Sequence, residues 1–301
     1  MENQTNETTD PALRSVSAVL RQAAQRLISC GIESGALDAE ILLAHALGIA
    51  REQLVAALRS PVDDRNLRTF ESLLSRRIKR EPTAYITGRR EFWSLDFRVT
   101  PGVLIPRPET ELLVETVFEL ATEWVSAGAL RILELGTGSG AVAVALASEL
   151  KSVEIVATDI SAEALAVARG NAVRNGVAGR IKFVEGDLFE PLAGEPRVDF
   201  IVFNPPYIRR ADIIGLEPEI SRWEPRGALD GGVDGLDYYR RTAAKAGHHL
   251  SAQGVVAVEV GAGMGRAVAE LFHEAEYSSV SIADDYAGRD RVVVARRATL
   301  P

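Results

Sequence analysis

Apolar residues in the first third of the chain recur at three- and four-residue steps. Val16, Val19, Leu20, Ala23, Leu27 and Ile28 share one helical face. Leu37, Ile41, Leu42, Ala44 and Leu47 repeat the spacing up to Gly48, a natural helix stop. Arg51–Leu58 and Asp63–Lys79 complete the set, the second opened by Asp63 or Asp64 as cap. No strand pattern interrupts this stretch. The pattern therefore predicts a disordered polar tail over residues 1–10 and a small all-helical domain over residues 11–81.

Residues 82–108 read as a hairpin linker. Phe92, Trp93, Leu95, Phe97 and Val99 alternate partially with polar residues around a Ser94-Leu95-Asp96 turn, and Pro101-Gly102, Pro106 and Pro108 then break regular structure. A helix is expected at Glu109–Thr122. From Arg131 onward, strand-like runs at Arg131–Leu135, Glu154–Asp159, Ile181–Gly186, Asp199–Phe203 and Gly254–Val260 alternate with helical stretches. That alternation predicts an α/β domain over residues 109–301, with a doubly wound parallel sheet. Val280–Asp284 and Arg291–Ala295 are separated only by Asp285–Asp290, too short for a parallel crossover of about a dozen residues. They are expected to pair antiparallel, giving a mixed sheet with one reversed strand.

Composition narrows the class of partner. The 34 basic and 42 acidic residues leave a net charge of -8, which does not favour a nucleic-acid substrate. Cys30 stands alone, so there is no internal disulfide and no cysteine-based zinc cluster, and His248 and His249 lack a matching ligand pair, so no metal is expected. The polar start lacks the apolar run of a signal peptide, and no stretch approaches the ~20 apolar residues of a membrane span. The expectation is a cytoplasmic protein with no membrane partner.

Candidate chemistry gathers at the strand ends. The apolar run Asp199–Phe203 stops at Asn204-Pro205-Pro206-Tyr207, because proline lacks the backbone donor that continued pairing requires. This delivers one carboxamide, bare carbonyls and an aromatic ring to the carboxyl edge of the sheet, where open α/β folds bind ligands. A planar nitrogen substrate, an amide or an aromatic amine, suits that set. Gly136-Thr137-Gly138-Ser139-Gly140 follows the first strand and opens the helix Ala141–Glu149, permitting a tight turn and close approach of a ligand. Read strictly, Gly136-x-Gly138-x-x-Ala141 also fits a dinucleotide fingerprint, and Asp159 suits a ribose hydroxyl under either reading. Glu134 would repel a pyrophosphate but tolerate the sulfonium and ammonium of S-adenosylmethionine. Asp187 is placed to accept from an adenine amino group, with Leu188 packing on the ring.

With these residues in place the chain resembles class I S-adenosylmethionine-dependent methyltransferases. Within them it is similar to the HemK/PrmC family, the N5-glutamine methyltransferases of class I peptide-chain release factors. The resemblance rests on Tyr85-Ile86-Thr87-Gly88, Glu91-Phe92-Trp93, Leu104–Glu111, Asn204–Ile208, Glu224-Pro225 and Gly232-x-Asp234-Gly235-Leu236. Arg107-Pro108-Glu109-Thr110-Glu111 is its most specific stretch; the tetrapeptide at Asn204 is shared with adenine and guanine N-methyltransferases. The resemblance implies a helical N-terminal domain that helps grip the release factor and a Rossmann-like seven-stranded sheet with one antiparallel strand. It further implies a monomer with a protein substrate and no direct nucleic-acid substrate. Where the family carries Gly-x-x-Gln-Gly after the fifth strand, this chain has Gly261-Ala262-Gly263-Met264-Gly265.

The mechanism expected on this basis is positioning. An amide nitrogen is a poor nucleophile because its lone pair is delocalised, and no His, Cys or Lys adjoins Asn204 to serve as a base. The Asn204 oxygen and the Pro205 carbonyl would accept the two amide N–H bonds, while Pro206 and Tyr207 flank the plane. Phe92 and Arg107 are further pocket residues on the family's pattern. Three alternatives stay open: an N-methyltransferase acting on a ribosomal-protein glutamine, one acting on a nucleic-acid exocyclic amine, and a cofactor-sensing protein without catalysis.

Overall fold

The computed structural model describes residues 14–124 and 129–297, and the chain forms two compact units that divide between Gly88 and Arg89. The tail expected over residues 1–10 lies outside the described residues.

The first unit holds α1 (Val16–Ser29), α2 (Gly35–Leu47), α3 (Gln53–Ala57), α4 (Asp64–Ile78) and α5 (Thr83–Thr87). Gly48 closes α2 in the left-handed region, and the Asp63 carboxylate caps α4 through Asn66 N–H at 2.8 Å. Val19, Ala23 and Leu27 of α1, Leu42 and Leu43 of α2, and Phe70 and Leu74 of α4 fill one core. A buried polar node ties these helices together. Asp38 accepts from Arg77 Nε at 2.8 Å, Ser34 Oγ at 2.8 Å and Thr83 Oγ1 at 2.9 Å.

That node corrects one expectation. The helical unit runs to Gly88, because Thr83 is tied to Asp38 and Ile86 joins the helical core. Four arginines of the run from Arg76 to Arg90 have partners within their own unit. Arg77 is buried against Asp38, Arg76 pairs with Glu81 at 2.5 Å, Arg80 donates to the Gly31 carbonyl and Arg90 to the Pro106 carbonyl.

The second unit opens with the hairpin β1 (Arg89–Phe92) and β2 (Leu95–Arg98). Its turn is Trp93-Ser94, both left-handed, so that Phe92 pairs with Leu95. This two-residue turn matches the twist of the strands, which the three-residue turn expected at Ser94–Asp96 does not. The hairpin packs into the sheet unit through Phe92 and Phe97.

The sheet comprises β3 (Leu130–Leu135), β4 (Val153–Asp159), β5 (Ile181–Glu185), β6 (Val198–Phe203), β7 (Leu250–Glu259), β8 (Ser279–Asp284) and β9 (Asp290–Arg296) in the order β5-β4-β3-β6-β7-β9-β8. All pairings among β3–β7 are parallel, and β9 runs antiparallel to both of its neighbours. This is the one reversed strand that the short Asp285–Asp290 connection predicted. Helices α6 (Glu111–Thr122), α7 (Ala141–Glu149) and α8 (Ala162–Arg174) cover one face. The short α9 (Pro218–Ser221) lies in the β6–β7 connection, and α10 (Asp237–His249) and α11 (Gly265–Glu274) cover the other face. With both faces covered, strands such as Phe200–Phe203 are wholly buried and read as continuous apolar runs. Among the described residues no helix is long and apolar enough to cross a membrane.

Candidate active site

Strand order places the site. From β3 the sheet proceeds through β4 to β5 on one side and through β6 to β7 on the other, so the chain reverses direction between β3 and β6. Such a switch point opens a crevice at the carboxyl ends of the strands. Leu135 and Phe203 are register partners there, which sets the glycine loop and Asn204 at adjoining strand ends. A Cβ at Gly136 would lie 3.1 Å from the Phe203 ring.

The glycine loop is braced from within. Thr137 N–H donates to the Thr158 carbonyl at 2.9 Å, Gly138 N–H to Asp159 Oδ2 at 2.8 Å and Gly140 N–H to the Thr137 carbonyl at 2.8 Å. Asn171 Nδ2 holds the Ser139 carbonyl at 2.8 Å. Gly138 has φ 55, and a Cβ there would meet nothing within 4 Å, so the left-handed turn faces open space. A pyrophosphate cradle needs loop N–H groups aimed at the ligand, and three of these are already committed. Asp159 also takes the Ser161 N–H at 2.9 Å, ordering the start of α8.

Glu134 reinforces that conclusion. It is buried beneath the loop and accepts from the Thr137 hydroxyl at 2.5 Å. Burial, aided by the nearby Asp159 charge, pushes its carboxyl up to about 8. A cation brought into this crevice would stabilise the ionised form, and a phosphate would raise the carboxyl further.

At the next strand end, Asp187 is engaged by Arg241 at 2.6 Å, and the Arg241 guanidinium lies 5.6 Å from the Tyr238 ring centroid. Leu188 has φ 51 and is buried within the apolar cluster on that face, beside Phe189. Both residues thus reach the carboxyl edge near the glycine loop, but Asp187 carries a basic partner that its sequence context did not reveal.

The Asn204–Tyr207 turn is held by long-range contacts. Asn204 Nδ2 donates to Thr110 Oγ1 at 3.1 Å, and among the described residues no donor reaches Asn204 Oδ1 or the Pro205 carbonyl. Ile208 N–H binds the Leu229 carbonyl at 3.0 Å, and Gly231 N–H binds the Ile208 carbonyl at 2.8 Å. Gly231 backs the turn so closely that a Cβ there would lie 2.7 Å from Tyr207 Cα. Met264, at the position where the family carries glutamine, packs its thioether beside Gly261 and the Tyr207 ring. Burial and the Glu259 charge push the Tyr207 phenol up to about 12.

A cavity of about 110 Å³ adjoins the turn, lined by Arg107, Asn204, Tyr207, Ile208, Leu229 and Glu259 among others. Arg107 lies at it, fixed by a 2.5 Å ion pair with buried Glu224 and by donation to the Ile105 carbonyl at 3.0 Å. Burial raises the Glu224 carboxyl, and Arg107 opposes that shift. Phe92 does not line the cavity. It is 2 % exposed and packs edge-on to Phe97, because an aromatic on the inward face of a hairpin strand gains more from the core. A larger cavity of about 580 Å³ opens beside Arg131, Val153, Ile181 and Val198, at the amino ends of the strands and away from this crevice.

Sequence reasoning passed over Thr110, Glu224 and Glu259 as site residues. Glu259 left a readable signal. Val258-Glu259-Val260 ends β7 as Leu133-Glu134-Leu135 ends β3, an acid in an otherwise apolar strand end. Thr110 and Glu224 lie in stretches already singled out, but nothing local marks them as partners of Asn204 and Arg107.

Comparison with known proteins adds to this geometry. The family described as PrmC N-terminal domain matches residues 18–88, and the family described as methyltransferase small domain matches residues 108–215. A release factor glutamine methyltransferase of Geobacter sulfurreducens is 42% identical over 289 residues, covering 96% of this chain and 99% of the relative. A second, from Cereibacter sphaeroides, is 44% identical over 277 residues, covering 92% of this chain and 96% of its own length. Among solved structures, the hMettl16 catalytic domain in complex with MAT2A 3'UTR hairpin 6 superposes with a TM-score of 0.56 at 15% identity, covering 73% of this chain and 81% of that one. That likeness bears on the fold alone.

Proposed function

The chain belongs to the family of release factor glutamine methyltransferases, and we propose that it methylates the side-chain nitrogen (N5) of the glutamine in the Gly-Gly-Gln motif of class I peptide-chain release factors, with S-adenosylmethionine as donor. One observation carries this reading. The Asn204 carboxamide stands at the switch point with its nitrogen tied to Thr110 and its oxygen free beside a small cavity, one strand from a buried acid and a braced glycine loop.

The donor set fits a cationic group. Among the described residues neither Glu134 nor Asp159 has a basic partner, and burial, with a smaller push from Asp159, keeps Glu134 raised. Glu134, Gly136, Thr137, Gly138, Ser139, Gly140 and Asp159 would hold S-adenosylmethionine, with Asp187, Leu188 and Asn204 beside it. When bound, it supplies a methyl group on a sulfonium, an electrophile that needs no further activation.

The protein's own residues then supply alignment. Asn204 Oδ1 and the Pro205 carbonyl accept the two N–H bonds of the glutamine amide and fix the direction of its nitrogen. Pro206 and Tyr207 flank the amide plane and exclude water. The Tyr207 phenol, pushed up to about 12, stays protonated at neutral pH and is no proton acceptor. Alignment of this kind is worth up to ~7–11 kcal/mol of barrier. Arg107, held rigid by Glu224, borders the pocket where the substrate chain enters. The helical unit grips the release factor, and the protein works as a cytoplasmic monomer without membrane or nucleic-acid partners.

The test is Asn204→Ala. Glutamine methylation should fall below detection while S-adenosylmethionine affinity stays within a few-fold of the parent. Turnover near the parent's would remove the positioning role.

A further inference from the structure

We propose that Thr110 and Glu259 form a hydrogen-bond relay that turns the Asn204 carboxamide, so that its oxygen rather than its nitrogen meets the acceptor amide. The proposal rests on the reading of Asn204 as acceptor of the substrate N–H. Thr110 and Glu259 are thus positioning residues, which act through Asn204.

Phe203 and Val258 are register partners in the parallel β6–β7 pair, so Asn204 and Glu259 stand side by side at the ends of their strands. Thr110, in the turn that precedes α6, reaches both. It accepts from Asn204 Nδ2 at 3.1 Å, and its hydroxyl is close enough to the Glu259 carboxylate to hold down the rise of that group. Thr110 is 4% exposed and Glu259 1%, so water does not substitute for either.

A hydroxyl has a single proton to give. An ionised Glu259 can only accept, so the Thr110 proton goes to Glu259 and the Thr110 lone pair receives the Asn204 N–H. Oδ1 is thereby left facing the cavity. If Glu259 takes up a proton, the relay reverses. Glu259 donates to Thr110, Thr110 donates to Asn204 Oδ1, and the carboxamide presents its NH2 to the substrate's NH2. Two donors then face each other and the acceptor amide loses its alignment.

The surroundings of Glu259 make that reversal accessible near neutrality. Burial raises its carboxyl to about 7, Glu109 adds to the rise, and the Thr110 hydrogen bond, Arg291 and Arg107 oppose it. Tyr207 and Tyr239 also face it, and both phenols are raised, so they remain neutral there. Among the described residues Glu259 Oε2 is buried with no hydrogen-bond partner, so one of its two oxygens gains no donor to favour the ionised form. The sign follows. The active arrangement exists above about pH 7 and is lost as pH falls through it, so turnover at pH 6 should be about a tenth of its plateau.

The experiment measures kcat against pH for methyl transfer to a release factor, together with cofactor affinity by calorimetry. Thr110→Val replaces the hydroxyl with a methyl of the same shape. Its kcat should fall roughly ten- to a hundredfold, with cofactor affinity within about twofold and no inflection near neutrality. Thr110→Ser keeps the hydroxyl and should restore both the rate and the inflection. Glu259→Gln cannot ionise and should give a flat profile. The relay is overturned by a Thr110→Val enzyme at the parent rate, by Thr110→Ser behaving as Thr110→Val, or by a parent profile flat from pH 6 to 8. Failure of the underlying reading shows separately, as retained turnover in Asn204→Ala.

Discussion

Gly231→Ala moves the catalytic turn without replacing any residue that contacts substrate. A Cβ at this position would lie 2.7 Å from Tyr207 Cα, 2.8 Å from the Tyr207 carbonyl carbon and 2.8 Å from the Pro206 oxygen, where ordinary contact begins at 3.4 Å. All three atoms are backbone, so no side chain can swing away. The turn is also clamped, since Ile208 N–H donates to the Leu229 carbonyl and Gly231 N–H donates to the Ile208 carbonyl. The Pro206–Tyr207 backbone must therefore retreat by about 0.7 Å, the shortfall between 2.7 and 3.4 Å. A misplacement near 1 Å costs on the order of a hundredfold in rate, so kcat should fall roughly thirty- to a hundredfold. Overpacking should cost about 1–3 kcal/mol of stability, leaving a folded protein. Cofactor affinity should stay within about twofold, because the glycine loop hangs on β3, Thr158 and Asp159. Gly227→Ala is the control, since a Cβ there meets nothing within 4 Å. The assay is transfer of labelled methyl to a release factor, with calorimetric titration of S-adenosylmethionine and a thermal melt for each variant. A Gly231→Ala protein turning over within twofold of the parent would refute the claim that the turn's placement sets the rate.

Other outcomes follow from the same structure. Glu134 is raised to about 8, so the folded protein keeps a proton that the unfolded chain has already lost. Stability should therefore decline as pH rises from the ordinary carboxylate range toward 8, and Glu134→Gln should flatten that decline in denaturant titrations. Cofactor affinity should rise with pH up to about 8, because a bound cation favours ionised Glu134, and proton release seen by calorimetry in two buffers should vanish in Glu134→Gln. Asp38→Ala leaves Arg77 buried without its carboxylate and should destabilise the helical unit by about 3–5 kcal/mol, read from urea unfolding followed by circular dichroism.

Local signals made the parallel sheet, the reversed strand and much of the site readable before any coordinates. Helix α7 occupies the residues that its pattern marked, Gly48 and Asp63 act as stop and cap, and β9 reverses because its link to β8 is too short for a crossover. Each of these features is decided within a few residues. What stayed hidden depends on distant partners. Thr83–Thr87 is helical because Asp38 holds Thr83, and Phe92 is core because Phe97 and α6 surround it. Arg241 engages Asp187 from α10, and Thr110 engages Asn204 from the turn before α6, 94 positions away in sequence. Glu259 could have been found by the rule that flagged Glu134, since each is a lone acid among apolar residues at the end of a central strand, and both are buried.

The central claim, that this crevice methylates a protein glutamine, is tested most directly by labelled methyl transfer from S-adenosylmethionine to a purified class I release factor. A second factor, with its Gly-Gly-Gln glutamine replaced, serves as the comparison. The account predicts incorporation into the first factor, recovered as N5-methylglutamine at that position, and none into the second. Equal labelling of the two factors would contradict it.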